Sequence, residues 1–200
     1  MSPAGLTVLA GPSGVGKGTV AALLVQRHPV GYLSVSATTR PPRAGEVEGE
    51  NYFFLSRGEF EAVAQTGGML EWAEYHGNLY GTPQDQVNRA LAEGRPVLLE
   101  IDLGGARQIR AARPDALAVF LQPPSWAELE RRLAARGTET PAQCAARLKI
   151  AQVEMGAASE FDHVLVNQDL ATTVAELAAL MQLEDTPQNL PAPLESCCSG

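Results

Sequence analysis

Several features are scarce in this chain of 200 residues, and each scarcity removes a class of function. Only three cysteines occur, Cys144, Cys197 and Cys198. Two of them are adjacent, without metal-ligand spacing, and an odd count argues against a secreted disulfide framework. Cys144 has no partner nearby in sequence and is assigned no chemistry. His28, His76 and His163 have no ligand spacing either, so scaffold or surface roles are expected for them. No uncharged apolar run approaches the roughly 20 residues that cross a bilayer. The N-terminus lacks the basic segment and cleavage pattern of a secretory signal and enters the strand-like Leu6–Ala10 almost at once. These absences predict a cytoplasmic chain with no membrane partner. Positive charge is short as well: 15 Lys and Arg stand against 23 Asp and Glu, a net charge of −8. A broad nucleic-acid-binding surface is therefore not expected, and any anionic ligand must be held by local clusters of Arg and Lys.

What is present reads as a folded α/β chain, with 45% hydrophobic and 19% charged residues. Leu6–Ala10 predicts a short buried strand, then a glycine-rich turn, then a helix from Lys17 to about Arg27. Apolar runs at Pro96–Ile101, Ala116–Leu121 and His163–Val166 each precede a helical pattern. That alternation implies a parallel sheet with helices on both faces. Two stretches interrupt it. Residues 35–82 carry period-two runs at Asn51–Leu55 and Met69–Tyr75, turn signals at Gly67-Gly68 and Gly77-Asn78, and a capping box, Ser56-x-x-Glu59, opening a short helix. This predicts a small, mostly β insertion. Residues 125–158 are helical and Arg-rich, with caps at Ser125-x-x-Glu128 and Thr140-Pro141-x-Gln143 around a tip at Arg136–Glu139. The expected division is a core of residues 1–34, 83–124 and 159–184, an insertion at 35–82, a lid at 125–158 and a disordered tail at 185–200, where Pro187, Pro191 and Pro193 break any helix.

The turn after the first strand carries the clearest chemistry. Gly11, Pro12, Ser13, Gly14, Val15, Gly16, Lys17, Gly18 and Thr19 join a strand to a helix, which is the context a P-loop requires. Its glycines let successive N–H groups converge, the helix N-terminus adds positive potential, and Lys17 brings a mobile charge to the β- and γ-phosphates of ATP. The usual motif has Ser or Thr directly after the lysine; here Gly18 stands there and the hydroxyl comes next, at Thr19. A Gly-Thr ending occurs among nucleoside monophosphate kinases.

A P-loop specifies a nucleotide and leaves the reaction open. Arg40 and Arg43, with Tyr52 nine residues further on, offer paired guanidiniums and a phenol suited to a phosphate monoester; the alternative is a solvated surface pair. From Ser36 to Phe54 this stretch resembles the signature of guanylate kinases. The likeness continues through Leu70–Tyr75, Gly77–Thr82, Leu99–Asp102, Pro123–Ser125, Arg136–Thr140 and Val166-Asn167, and covers roughly residues 5–183. The resemblance implies a P-loop kinase that transfers the γ-phosphoryl group of ATP to GMP or dGMP in purine metabolism. It implies that Arg40, Arg43, Tyr52 and Tyr80 hold the GMP phosphate and that Glu71 faces the Watson–Crick edge of guanine. Two adjacent donors there, N1–H and the N2 amino group, match the two oxygens of a carboxylate. Ser36 and Thr82 would donate to O6, and Asp102 would add a contact to the amino group. Glu100 and Asp102 would alternatively order Mg2+ and its waters, with Thr19 as a further candidate. Gly104 stands where the family more usually has Gln.

By the same resemblance Arg132, Arg136 and Arg147 are lid arginines, and Asn167 lines the adenine pocket. Lys17, Arg43, Arg136 and Arg147 are thereby the candidates for stabilising the transferring group. Competing readings are a helical polar face for these arginines, a phospho-sugar kinase, and a catalytically silent module that binds phosphopeptides in the acceptor cleft. For Glu71 the alternative is a surface carboxylate beside a buried Trp72. The sequence leaves oligomeric state open.

Overall fold

The computed structural model describes residues 5–75, 77–135 and 141–183, with side chains at all but 141–144. The tail from 184 onward and the expected lid tip, including Arg136 and the capping Thr140, lie outside the described residues. In chain order the elements are β1 (Leu6–Ala10), α1 (Lys17–Arg27), β2 (Tyr32–Leu33), β3 (Ala37–Thr38), β4 (Phe53–Phe54), α2 (Arg57–Gln65), β5 (Met69–Tyr75) and β6 (Asn78–Pro83). There follow α3 (Gln84–Ala92), β7 (Val97–Glu100), α4 (Leu103–Ala112), β8 (Leu117–Gln122), α5 (Trp126–Ala134), α6 (Pro141–Gly156), a 3-10 turn at Ala158–Glu160, β9 (His163–Val166) and α7 (Leu170–Leu180).

Five strands form one sheet in the order β2-β7-β1-β8-β9, every adjacent pair parallel. β1 is buried along its whole length, as a strand covered by helices on both faces must be. Alternate side chains sort into two cores. Leu9, Leu98, Val119 and Leu121 pack with Leu24 of α1, Leu129 of α5, Ala151 of α6 and Leu177 of α7. Leu6, Val8, Val97 and Leu99 pack with Val87 of α3 and Ile109 of α4 on the other face. The chain leaves β1 toward one edge of the sheet and leaves β8 toward the other, so a crevice opens at the carboxyl end of β1, where the glycine-rich turn lies. Among the described residues no helix is long and apolar enough to cross a membrane.

A second sheet, β4-β3-β6-β5, has its own small core of Ala37, Phe60, Met69 and Leu79. The Ser56 capping box opens α2 as expected, with the Ser56 hydroxyl accepting from Glu59 N–H and the Glu59 carboxylate from Ser56 N–H. At α5 only half of the second one forms: Ser125 accepts from Glu128 N–H, while the Glu128 carboxylate turns to Arg131 and Arg132. Pro141 is the first residue of α6. The expected strand at Asn51–Leu55 contracts to Phe53–Phe54, because the Asn51 side chain accepts from Val47 N–H at 2.8 Å and its N–H returns to Val47 O at 3.1 Å. That Asx-type turn consumes the polar groups a strand would need. β2 and β3 are two residues each, too short for periodicity to reveal.

Candidate active site

The two sheets enclose a cleft of about 770 Å³, lined by Ser13 and Lys17 on one side, by Ser36, Tyr52, Glu71 and Tyr80 on another, and closed by Arg147 and Glu154 of α6. At its floor the P-loop takes the shape that phosphate binding needs. Gly16, at φ 103°, is the left-handed residue that caps α1. A Cβ there would also lie 2.7 Å from Asn167 Nδ2, so only glycine fits. The amide of Asn167 donates to Val15 O at 2.8 Å. Arg132 donates to the same carbonyl at 3.0 Å and to Asn167 O at 3.2 Å, while its Nε pairs with Glu128. Arg132 and Asn167 therefore brace the back of the loop.

Lys17 Nζ donates to Gly11 O at 2.7 Å and lies 3.4 Å from Pro12 O, folded over its own loop. The loop's Ser13 N–H donates to the Glu154 carboxylate at 3.3 Å. Burial pushes the Glu154 carboxyl up, with the Lys17 ammonium opposing the shift. An acid on α6 thus occupies a P-loop donor, a contact between residues 141 apart in the chain that no local motif announces.

Gly18, the departure from the usual motif, lies beside Glu100. A Cβ on Gly18 would stand 3.4 and 3.5 Å from the two Glu100 oxygens. These are ordinary contacts, so the carboxylate at the end of β7 leaves room for a side chain there. Burial raises the Glu100 pKa and Lys17 opposes it. Asp102 serves the fold as well, since its side chain caps α4 by accepting from Gly105 N–H at 2.7 Å. Both acids line the cleft. Thr19 is exposed on the first turn of α1 and does not line it. Among the described residues no group of three or more His, Cys, Asp or Glu side chains is placed to hold a metal. Oxygen donors on one or two acids beside a phosphate cradle nevertheless suit Mg2+, which takes few protein ligands and completes its shell from phosphates and water.

On the acceptor side, Arg40 makes a two-pronged ion pair with Glu46, both N–O distances being 2.9 Å, and its guanidinium carbon sits 5.3 Å from the centre of the Tyr52 ring. Tyr52 and Tyr80 meet edge to face, 6.2 Å between centroids. Glu46 also accepts from Arg43 N–H at 2.7 Å, so one carboxylate gathers the Arg40–Arg43 loop, and the Arg40 guanidinium holds its pKa down to about 2. The Arg43 side chain is exposed and Arg43 is not among the lining residues. The structure thus brings Arg40, Tyr52 and Tyr80 together, with both tyrosines lining the cleft and neither Arg40 nor Arg43 among its lining residues.

Glu71 is 6% exposed and Trp72 is 45% exposed, the reverse of the surface-carboxylate alternative. A bulge between Met69 and Glu71 breaks the alternation of β5: Met69 packs in the small core with Phe60, Trp72 meets the Phe60 ring edge to face at 6.4 Å between centroids, and the Glu71 carboxylate turns to α4. Thr82, opposite in register on β6, donates its hydroxyl to Glu71 Oε1 at 2.7 Å. Burial pushes the Glu71 carboxyl up to about 7, with Asp102 adding to the rise. A buried acid with one satisfied oxygen and the other turned toward α4 is a group kept for a partner with donors to spare.

A family model described as guanylate kinase matches residues 4–184. Among similar proteins, a guanylate kinase from Synechococcus sp. strain CC9902 is 58% identical over 90% of this chain and 96% of its own length. One from Thermobifida fusca is 54% identical over 92% and 94%. The crystal structure of guanylate kinase from Anaplasma phagocytophilum superposes with a TM-score of 0.75 at 32% identity, covering 94% of this chain and 89% of that one. With the P-loop residues Ser13 and Lys17, Tyr52, Tyr80 and the buried Glu71 lining one cleft, and with relatives matched along nearly their full lengths, this chain belongs to the guanylate kinase family.

Proposed function

We propose that this chain transfers the γ-phosphoryl group of ATP to GMP, and likewise dGMP, yielding ADP and the nucleoside diphosphate. The observation that carries the proposal is the shared cleft: a phosphate cradle and a buried, base-facing carboxylate open into the same 770 Å³. Acceptor and donor nucleotides bound there meet head to head. The GMP phosphate oxygen is itself the nucleophile, so no covalent enzyme intermediate is needed, and catalysis consists of positioning and electrostatic stabilisation.

In this reading the N–H groups of residues 11–19 and Lys17 hold the ATP phosphates, with Arg132 and Asn167 bracing the adenine side. Arg40, Arg43, Tyr52 and Tyr80 hold the GMP phosphate. Glu71 accepts from guanine N1–H and the N2 amino group and Ser36 addresses O6, while Thr82, whose one hydroxyl proton goes to Glu71 Oε1, borders the base site by holding that carboxylate. Lys17, Arg43, Arg136 and Arg147 stabilise the charge on the transferring group. Mg2+ bound with ATP would neutralise charge on the β- and γ-phosphates. Glu100 and Asp102 are the side chains placed to order its water shell, with Thr19 on the neighbouring turn. When ATP enters, Glu154 gives up Ser13 N–H to a phosphate oxygen. The division into a core of residues 1–34, 83–124 and 159–184, an acceptor unit at 35–82 and a lid at 125–158 belongs to the same proposal, as does closure of both over the nucleotides.

A coupled assay with ATP, Mg2+ and GMP, AMP, IMP or UMP tests the reading. GMP should be turned over fastest, with IMP ten- to about a hundredfold poorer, because it leaves a buried carboxylate oxygen without its donor. Equal rates for GMP and AMP would overturn it.

A further inference from the structure

Helix α4 belongs to the main sheet, yet one of its faces touches the strand that carries Glu71. Two residues make that contact, Gly105 and Gln108, three apart and therefore on the same side of the helix. A Cβ on Gly105 would lie 2.6 Å from Glu71 Oε2 and 3.1 Å from Glu71 Cδ. The carboxylate rests directly on the helix backbone, in space that any side chain would claim. One turn on, the Gln108 carboxamide grips the next peptide: its Oε1 accepts from Trp72 N–H at 3.2 Å and its Nε2 donates to Trp72 O at 3.0 Å. β5 is the edge strand of the second sheet, and at Trp72 a single glutamine side chain supplies both hydrogen bonds that a neighbouring strand would otherwise make.

We infer that Gly105 and Gln108 are positioning residues for base selection: they fix the Glu71 carboxylate against the main sheet, setting the depth at which the purine edge is read. The inference rests on the reading of Glu71 as the guanine acceptor. Held from one side by the Thr82 hydroxyl at 2.7 Å and backed on the other by Gly105, the carboxylate has no lateral play. The Gln108 pair keeps the strand beneath it from sliding along the helix. Gly104, one residue earlier, is exposed and takes no part, because its Cβ would meet only Asp102 Oδ1, at 3.4 Å.

The test uses Gly105→Ala, Gln108→Leu and Gln108→Glu in the full chain, comparing kcat/KM for GMP and IMP, KM for ATP, and Tm. Gly105 is helical with no left-handed φ, so alanine suits the backbone and its clash falls on the Glu71 side chain; Gln108 is exposed, and its two variants test the contact at a site outside the core. Gly105→Ala forces the carboxylate back by several tenths of an ångström and should shrink the GMP-to-IMP ratio by about tenfold or to near unity, removing most of the native preference. Gln108→Leu should shrink it by about three- to tenfold. Gln108→Glu, which keeps an acceptor for Trp72 N–H and loses the donor, should fall between Leu and the native residue. KM for ATP should stay within about twofold throughout. If the native chain prefers GMP and the variants keep that preference while Tm falls, the contact is only structural and the inference fails alone. If the native chain shows no preference for GMP over IMP, the Glu71 reading fails and the inference with it.

Discussion

Replacing Glu71 by glutamine should make the ligand-free protein more stable at alkaline pH and its catalysis worse. The Glu71 carboxyl titrates at about 7 in the folded chain against an ordinary 4.5, so the folded state binds this proton more tightly than the unfolded state. The sign follows directly. Below about pH 4.5 the group is protonated in both states and contributes nothing. Between 4.5 and 7 the unfolded chain ionises first, and native stability falls by up to about 1.4 kcal/mol per pH unit. Above 7 both states are ionised and the cost is constant at about 3 kcal/mol. At 6% exposure little solvent screening reduces it. Glutamine is isosteric, keeps an oxygen for the Thr82 hydroxyl and never ionises, so the pH-dependent cost disappears.

The measurement that isolates this is the difference in stability between Glu71→Gln and the native chain at two pH values, which cancels whatever the buried amide itself costs. Between about pH 5.5 and 8 the difference should move in favour of the variant by about 2 kcal/mol, or about 4–8 °C in Tm for a chain of this length. GMP should raise the Tm of the native chain and barely that of the variant, whose new N–H faces guanine's own donors. The GMP-to-IMP ratio of kcat/KM should collapse accordingly. A stability difference that stays flat across this pH range, or a GMP-to-IMP ratio left unchanged, would refute the assignment of Glu71.

Lys17→Ala should lower turnover by about 10²–10³-fold, the usual loss when one stabilising charge is removed, while calorimetry finds GMP affinity intact; affinity lost together with activity would mean that Lys17 supports the fold. Glu154→Gln removes the negative charge that competes for Ser13 N–H and should lower KM for ATP by about three- to tenfold; a higher KM would show that Glu154 assists ATP instead. Gly18→Ser fits, because its Cβ would meet Glu100 at 3.4 Å, an ordinary contact. Near the start of α1 it should raise stability by a few tenths of a kcal/mol with activity retained, and loss of activity would mean that Glu100 must approach the loop more closely than this.

The P-loop, the sheet and the Arg40–Tyr52 cluster were legible in the sequence because each is written locally: a strand, a turn and a helix in succession, or charged residues within one short loop. Glu71 was legible through family resemblance, and its environment was not. The competing reading put the more apolar residue inside, but the bulge between Met69 and Glu71 turns Glu71 toward α4 and leaves Trp72 on the Phe60 side, 45% exposed. What remained hidden is long-range. Ser13 and Glu154 meet across 141 residues, and Trp72 and Gln108 across 36. Such pairings depend on where helices land against strands, and neither composition nor spacing encodes that landing.

The acid excess that argued against a nucleic-acid surface acquires a local meaning in the site. Two of the groups proposed for phosphate are already engaged by a carboxylate, the P-loop donor Ser13 N–H by Glu154 and Arg40 by Glu46, and Arg132 behind the loop is held by Glu128. Guanidiniums and loop amides would otherwise stand unsatisfied where water is partly excluded. Carboxylates hold them in place. The cost falls at binding, where a phosphate must replace a carboxylate at donors that accept either. A carboxylate carries one charge and a nucleotide phosphate more than one, shared over three oxygens, so the exchange favours the phosphate at the P-loop. At Arg40 the fork geometry holds Glu46 through Nη1 and Nη2 together, and a phosphate monoester must approach the tyrosine side of the same guanidinium. An acidic protein can therefore be a strong phosphate binder, provided that its acids stand beside its arginines and its nucleotides displace them one contact at a time.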